Sequence, residues 1–187
     1  MSFDTRRLTT AGELKALAHP LRLAIAERLS IAGPMTATEL ADDLDESPAN
    51  CSWHLRKLAE HGLVEETHDG QGRRRPWRVK QVGMRWDEGT DDPGLNAAGR
   101  ALTERIIARE VERFQRNRAA HGSDKWALGA VQNATWMTHQ EAAQCHADLV
   151  DLTMRFRERL ENPDERPDDA RLVYTLALSS VEPADDQ

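Results

Sequence analysis

The segment 47–58 carries polar and aromatic side chains at helical spacing, and these residue types could recognise nucleic acid. Ser47 is a favourable helix N-cap, and Pro48 is a favourable first helical residue. Cys51, Leu55 and Leu58 are spaced i, i+4 and i+7, which predicts that they face a core. The positions left to be divided between a DNA groove and solvent are Pro48, Ala49, Asn50, Ser52, Trp53, His54, Arg56 and Lys57.

Two of these side chains could read bases, and three suit the backbone of DNA. Asn50 is the best candidate for a base, because an amide can pair bidentately with adenine. Trp53 lies three residues later on the same face, where it could contact a thymine methyl or a sugar. Ser52, His54 and Lys57 suit phosphates, and such contacts fix register without carrying sequence information. The capping Ser47 is also counted among the predicted DNA-binding residues. For His54 the pattern leaves an inward orientation open.

A basic run follows this segment at a predicted turn. Residues 63–68 and 75–80 have strand character, and two glycines lie in the turn between them. This pattern predicts a β-hairpin with a basic tip, whose arginines could follow phosphates or enter a narrow minor groove. The hairpin cations predicted to face DNA are Arg73, Arg74, Arg75 and Arg78.

Several helices must position these residues. Helices are predicted over 10–18 and from Pro20, and Gly33-Pro34 ends the second. Thr36 and Glu39 are spaced as a capping box, which predicts a short helix joined by a tight polar turn to the helix 48–61. Gly62 can supply a left-handed cap to that helix. Two short helices, a tight turn and a hairpin are the order of a winged helix-turn-helix.

The charge distribution agrees with local contact to phosphates. The chain has 187 residues and a net charge of −7. Residues 1–82 contain 12 basic and 12 acidic side chains, whereas residues 47–82 contain 7 and 4. A local excess of positive charge is what phosphate contact needs.

The second half is predicted to be mostly helical. We expect a DNA-binding domain over 1–86, an acidic linker over 87–94, and a dimerisation and effector region over 95–187. A helix with an apolar stripe is predicted from 95 to 114, and another, capped by Thr138, from there to about residue 161. Residues 172–178 alternate as a strand, and 126–136 favours extended structure that could pair with it. The expected fold class is therefore mainly α (α+β), with a small β element in the C-terminal region.

Other functions find little support in the residues. No apolar run could span a bilayer and no signal peptide is recognisable, so we expect a cytoplasmic protein without membrane contact. No catalytic or cofactor motif occurs, so neither an enzyme nor a cofactor is expected. His139, Cys145 and His146 lack the usual metal-ligand spacing, and Cys51 fits a core position, so no metal is expected. Clustered aromatics could line an effector pocket or form core or dimer interface: Trp126, Trp136, Phe156 and Tyr174.

Residues 10–82 resemble the ArsR-type winged-helix repressors. The resemblance rests on Leu17-Ala-His-Pro-Leu-Arg22, Thr38-Glu-Leu-Ala41, the segment 47–58, Glu60-His-Gly-Leu-Val64 and the wing. It implies a homodimer that binds a palindromic operator in double-stranded DNA through one reading helix per protomer. It also implies that the first helix and the C-terminal helices build the dimer interface.

The chain departs from the metal-sensing members of that family. Those carry a cysteine cluster on the first helix of the reading pair, whereas residues 38–44 contain neither Cys nor His. Any signal, such as a small-molecule effector, is therefore expected to enter through residues 95–187. The alternative function is a winged-helix module that binds another protein and does not bind DNA.

Overall fold

The structure, a computed structural model, describes residues 6–67, 75–81, 83–121 and 134–177. Its contacts divide the chain into two compact units, Met1–Ile106 and Ile107–Gln187. No helix in the described ranges is both long and apolar enough to cross a membrane.

Four helices begin the first unit, and their starts are set by the residues at their N-termini. They are α1 (Ala11–Leu17), α2 (Pro20–Ala32), α3 (Ala37–Leu44) and α4 (Pro48–Glu60). The predicted capping box at Thr36 and Glu39 is confirmed, and Thr10 forms a second one with Glu13. Each box satisfies backbone N–H groups that the first helical turn cannot pair.

The turn between α3 and α4 and the end of α4 both use left-handed backbone. Asp45 has φ 54°, a conformation that Asp tolerates better than most residues. Ser47 then caps α4 by accepting a hydrogen bond from the Asn50 N–H at 3.1 Å. Gly62 has φ 63° just beyond the helix, which confirms the predicted glycine cap.

Two short sheets complete the winged helix-turn-helix. Strand β2 (Val64–Glu66) pairs antiparallel with β3 (Trp77–Val79), and a bridge joins Met35 to Trp77. The second sheet was not predicted. It pairs β1 (Arg6–Arg7) in parallel with β4 (Met84–Arg85).

The first unit has one apolar core, to which every helix of the unit contributes. Its fully buried large side chains are Leu8, Leu14, Leu17, Ile25, Leu29, Leu40, Leu55, Leu58, Val64 and Leu102. Leu102 comes from α5 (Pro93–His121), whose first part also buries Ala98 in this core. The fold is therefore mainly helical, with a winged helix-turn-helix packed around residues of five helices.

Arg6 ties the start of the chain to the end of α4. Its guanidinium donates to the carbonyl oxygens of His61, at 2.9 Å, and Gly62. It also pairs with the Glu13 carboxylate at 2.6 Å. A cation at a helix C-terminus satisfies unpaired carbonyls and favours the helix dipole. Arg6 therefore fixes the end of the helix whose beginning Ser47 caps.

The described elements of the second unit differ from those that the sequence predicts. After α5 come α6 (His139–Met154), α7 (Glu158–Glu161) and a 3-10 turn, Pro163–Glu165. The predicted helix from 139 to about 161 is thus interrupted after Met154. The predicted final strand is wrong over the described residues 172–177, because no backbone pairing forms there. Residues 126–133 lie outside the described ranges.

Gly62→Ala should lower the free energy of unfolding by about 1–2 kcal/mol, since a side chain is strained in the left-handed region. The added Cβ would also lie 3.6 Å from Arg6 Nη1. Chemical denaturation of the purified chain measures the change.

Gly89→Ala is the matched control, because a Cβ at that position meets no atom within 4 Å. The control should leave stability unchanged or raise it slightly. If both variants lower the free energy of unfolding by the same amount, the role given to Gly62 is contradicted.

Candidate nucleic-acid interface

The two faces of α4 have different environments, as its residue spacing predicts. Cys51, Leu55 and Leu58 are fully buried in the core. The opposite side carries Trp53, with 46% of its surface exposed, and the exposed Arg56. Among the remaining predicted DNA-facing residues of this segment, Ser47, Pro48 and Ala49 are exposed, and Asn50, Ser52 and Lys57 are partly exposed.

The amide of Asn50 has a partner within the turn. Its Nδ2 donates to the Glu46 carboxylate at 2.9 Å, while its backbone N–H is held by Ser47. These two bonds fix the side chain at the N-terminal end of α4. One N–H of the amide is used in this bond, and the second N–H and Oδ1 could still pair with adenine.

Trp53 and Lys57 form a continuous patch on the outward side of α4. The Lys57 Nζ lies 5.8 Å from the centroid of the Trp53 ring, within the range of a cation–π contact. Lys57 also pairs with Glu60 at 2.9 Å. The patch therefore offers an aromatic face with a cation at its edge.

His54 faces the interior, so the prediction that it contacts phosphate is corrected in favour of the inward orientation. Only 4% of its surface is exposed, and its Nδ1 has no hydrogen-bond partner in the described part of the chain. Its ring packs against His19 with the centroids 4.6 Å apart, and against the edge of Trp53 at 4.7 Å. The spacing i, i+3 to Cys51 places it beside the buried stripe rather than on the outer face.

Both histidines of this pair, whose ring planes are tilted by 40°, favour the neutral form. Burial lowers the pKa of His54, and the nearby His19 and Arg22 lower it further, although Glu46 opposes them. His19 is exposed, and partial desolvation together with the positive charges of Arg22 and Arg105 lowers its pKa. The neutral form matters for His19 because its Nδ1 accepts a hydrogen bond from the Leu21 N–H and so caps α2.

The positive charges at the base of the wing are partly neutralised by acidic side chains. Arg78 pairs with Glu65 at 2.8 Å across the two strands, and Lys80 approaches the same carboxylate at 3.6 Å. Arg75 lies 3.7 Å from Glu66. These cations are exposed. The remaining predicted wing residues, Arg73 and Arg74, lie outside the described residues.

Among the described residues, the aromatic side chains that could line an effector pocket do not gather into an enclosed site. Trp136 is fully exposed and Phe156 is mostly exposed, while Trp126 lies outside the described residues. Tyr174 instead covers Arg113, whose guanidinium carbon lies 3.6 Å from the ring centroid. Cys145 is exposed on α6. Within the described ranges, no group of three or more His, Cys, Asp or Glu side chains could hold a metal ion.

Three supporting residues were missed by the sequence reasoning: Arg6, His19 and Met35. Arg6 belongs to a strand of two residues, and Met35 pairs with Trp77 in an isolated bridge. Such short pairings leave no periodic pattern in the sequence. His19 carried a detectable signal, because a histidine before a helix-starting proline stands at the N-cap position.

Comparison with known proteins identifies the domain that carries this surface. Residues 17–67 match the family model described as a helix-turn-helix domain. No curated protein matches the chain. The match and the fold around it support a DNA-binding transcriptional regulator.

Solved structures give a weaker likeness. The Lactococcus lactis protein ZitR, a mutant in its apo form, is 18% identical, and the alignment covers 74% of this chain and 83% of that one. A MarR family transcription regulator is also 18% identical, with 81% and 80% covered. A MarR family regulator from Neisseria meningitidis is 14% identical, with 78% and 80% covered. The TM-score is 0.35 in all three cases, so the fold rests on the geometry described above.

The contact between His19 and His54 predicts a loss of stability in mild acid. Their pKa values are lowered on folding, so the unfolded chain binds more protons and stability falls as pH drops below about 6.5. The lowered pKa of Glu13 acts in a more acidic window, below its ordinary value of 4.5. Melting temperatures between pH 7 and pH 5 therefore isolate the histidines.

The variant His19→Ser/His54→Leu should lose less melting temperature over this range than the unsubstituted chain, since serine can still cap α2. His146→Gln, on the exposed face of α6, serves as the control and should behave as the unsubstituted chain. If the melting temperature of the double variant falls between pH 7 and pH 5 by as much as that of the unsubstituted chain, the histidine pair is not the acid-sensitive element.

Proposed function

We propose that the chain is a homodimeric, sequence-specific transcriptional repressor that binds a palindromic operator in the cytoplasm. Helix α4 enters the major groove, and the basic wing lies along the flanking backbone or in the minor groove. The observation that carries the proposal is the geometry of α4. Its inner face is fully buried, its two ends are fixed, and its outer face presents polar, aromatic and basic side chains.

The positions of individual side chains support different contacts with DNA along α4. Asn50 lies at the N-terminal end, which is the part of a reading helix that contacts base edges. Trp53 lies one turn further, where it would contact a thymine methyl or a sugar. Arg56 and Lys57 lie toward the far end of α4 and would contact phosphates, together with Ser47 and Ser52 near its start.

The wing adds positive charge beside the reading helix. Arg73, Arg74, Arg75 and Arg78 would contact the backbone or a narrow minor groove. Glu65 and Glu66 neutralise part of this charge in the free protein. These ion pairs are solvent-exposed and therefore weak, so phosphates can replace the carboxylates.

The exposed apolar side chains of the second unit support dimerisation. Leu152 and Phe156 lie four residues apart and expose more than half of their surfaces. Helix α6 buries no residue in the described part of the chain. Monomeric proteins rarely leave extended apolar patches in water, and a second copy would cover these residues. A dimer would also supply the second reading helix that a palindromic site requires.

Asn50→Ala should weaken binding to the cognate operator by about 1–3 kcal/mol and leave binding to random duplex DNA nearly unchanged. Arg56→Ala should instead weaken both by a similar factor, because a phosphate contact carries no sequence information. Fluorescence anisotropy at several salt concentrations measures both effects.

The operator is first obtained by selection of bound molecules from a random duplex library. Enrichment of a palindrome with half-sites about one helical turn apart would support the proposal. Absence of any enriched motif would refute it, and absence of all duplex affinity at low salt would favour a protein-binding module.

Replacing both Leu152 and Phe156 by Asp should convert the dimer to a monomer and strongly reduce operator affinity. Light scattering after size-exclusion chromatography measures the mass. Gln140→Asp, on the exposed surface of α6, adds charge without removing apolar area and should remain dimeric. Dimerisation through this surface is excluded if the double variant keeps the dimer mass.

A further inference from the structure

A small cavity opens beside the C-terminal end of α4, where that helix approaches α1 and α2. Its volume is about 230 Å³. Four of the six described residues that line it carry basic side chains, and none of the six is acidic. These residues are Gly12, Lys15, Ala16, Arg22, Lys57 and His61.

Two of the basic groups are held in place by α1. The Arg22 guanidinium donates from Nη2 to the Lys15 carbonyl oxygen at 3.1 Å, and from Nε to the Ala16 carbonyl oxygen. A Cβ at Gly12 would lie 3.1 Å from His61 Cε1, so the glycine permits the imidazole to lie close to α1. The position of the Arg22 guanidinium is therefore set before any ligand arrives, and the His61 ring lies next to α1.

The other two basic groups are more exposed. The Lys57 Nζ lies 2.9 and 3.0 Å from the two carboxylate oxygens of Glu60, and both side chains are more than one-third exposed. Such an ion pair contributes little to stability and exchanges readily for another anion. Lys15 is exposed on α1.

We propose that this cavity binds a phosphate group. Cavities for drug-sized ligands begin at roughly 300 Å³, so this smaller space suits a compact anion. The mixture of cations fits that chemistry, because a fixed guanidinium can form directed hydrogen bonds to phosphate oxygens and an ammonium supplies a mobile point charge. Lys15 thereby gains a role that its position in the helix-turn-helix does not otherwise require.

The position of the cavity favours the DNA backbone as the source of the phosphate, an assignment that rests on the proposed function. Lys57 belongs both to the cavity and to the outward patch with Trp53. It lies seven residues after Asn50, which is roughly 10 Å along a helix, while the major groove is about 12 Å wide. When Asn50 reads a base, Lys57 and the cavity therefore come to the wall of the groove. A free phosphate-bearing molecule is the other source.

The test compares Lys15→Ala with Arg100→Ala in the full-length chain. Both variants remove one exposed cation from the first unit, but Arg100 does not line the cavity. Binding to random duplex DNA is measured between low and moderate salt. The logarithm of the binding constant is plotted against the logarithm of the salt concentration. If a DNA phosphate occupies the cavity, Lys15→Ala reduces the magnitude of this slope by about 0.9, and Arg100→Ala does not.

A second measurement does not involve DNA. The melting temperature is recorded with inorganic phosphate and with chloride at equal ionic strength, since a ligand that binds the folded state raises it. A phosphate-dependent rise that Lys15→Ala abolishes, without a change of salt slope, assigns the cavity to a free phosphate compound. If Lys15→Ala matches Arg100→Ala in both measurements, the proposal is overturned. Failure of the unsubstituted chain to bind any duplex refutes the proposed function separately, and the melting experiment still decides on the cavity.

Discussion

The burial of one face of α4 is the constraint on which the rest of the first unit depends. Cys51, Leu55 and Leu58 lie fully in the core, so the rotation of the helix about its own axis is fixed. A large-to-small change at a buried leucine typically costs about 2–5 kcal/mol, which is a large part of the stability of a small domain. The helix cannot turn its outer side chains elsewhere without losing this burial. The direction in which Asn50 and Trp53 point is therefore a result of core packing.

The two ends of α4 are fixed by different chemistry. At its start, Ser47 and the left-handed Asp45 determine where the helix begins. At its end, Gly62 and Arg6 satisfy carbonyls and connect the helix to the first strand. Burial would raise the pKa of Glu13, but hydrogen bonds from Arg6, Thr10 and the backbone outweigh that effect and lower it. Glu13 thus stays ionised and keeps Arg6 in place.

The sequence predicts those parts of the fold that local patterns encode. The caps at Thr36 and Ser47 and the glycine at 62 each leave a mark within a few residues, and the structure confirms all three. The pairing of β1 with β4 joins positions nearly eighty residues apart through two residues each, and no local pattern encodes it. For α6 the apolar stripe was correctly spaced for a helix, but spacing alone does not say what covers it.

In the candidate site, too, the local sequence pattern predicts some features and not others. Helical spacing separates the buried Leu55 from the exposed Trp53 and Arg56, so the outer face of α4 was predictable. His54 is buried and its ring contacts that of His19, an orientation that helical spacing alone leaves open. The bond from Asn50 to Glu46 was likewise not predictable, because it depends on the rotamers of two side chains in one turn.

That bond between Asn50 and Glu46 also has a consequence for the proposed contact with DNA. The Glu46 carboxylate accepts one N–H of the Asn50 amide and so restricts its rotation before any DNA is bound. In the proposed complex the second N–H and Oδ1 would form the two hydrogen bonds to adenine, and less conformational entropy would be lost on binding. The same carboxylate places a negative charge at the start of α4, which would oppose a phosphate that approaches too closely.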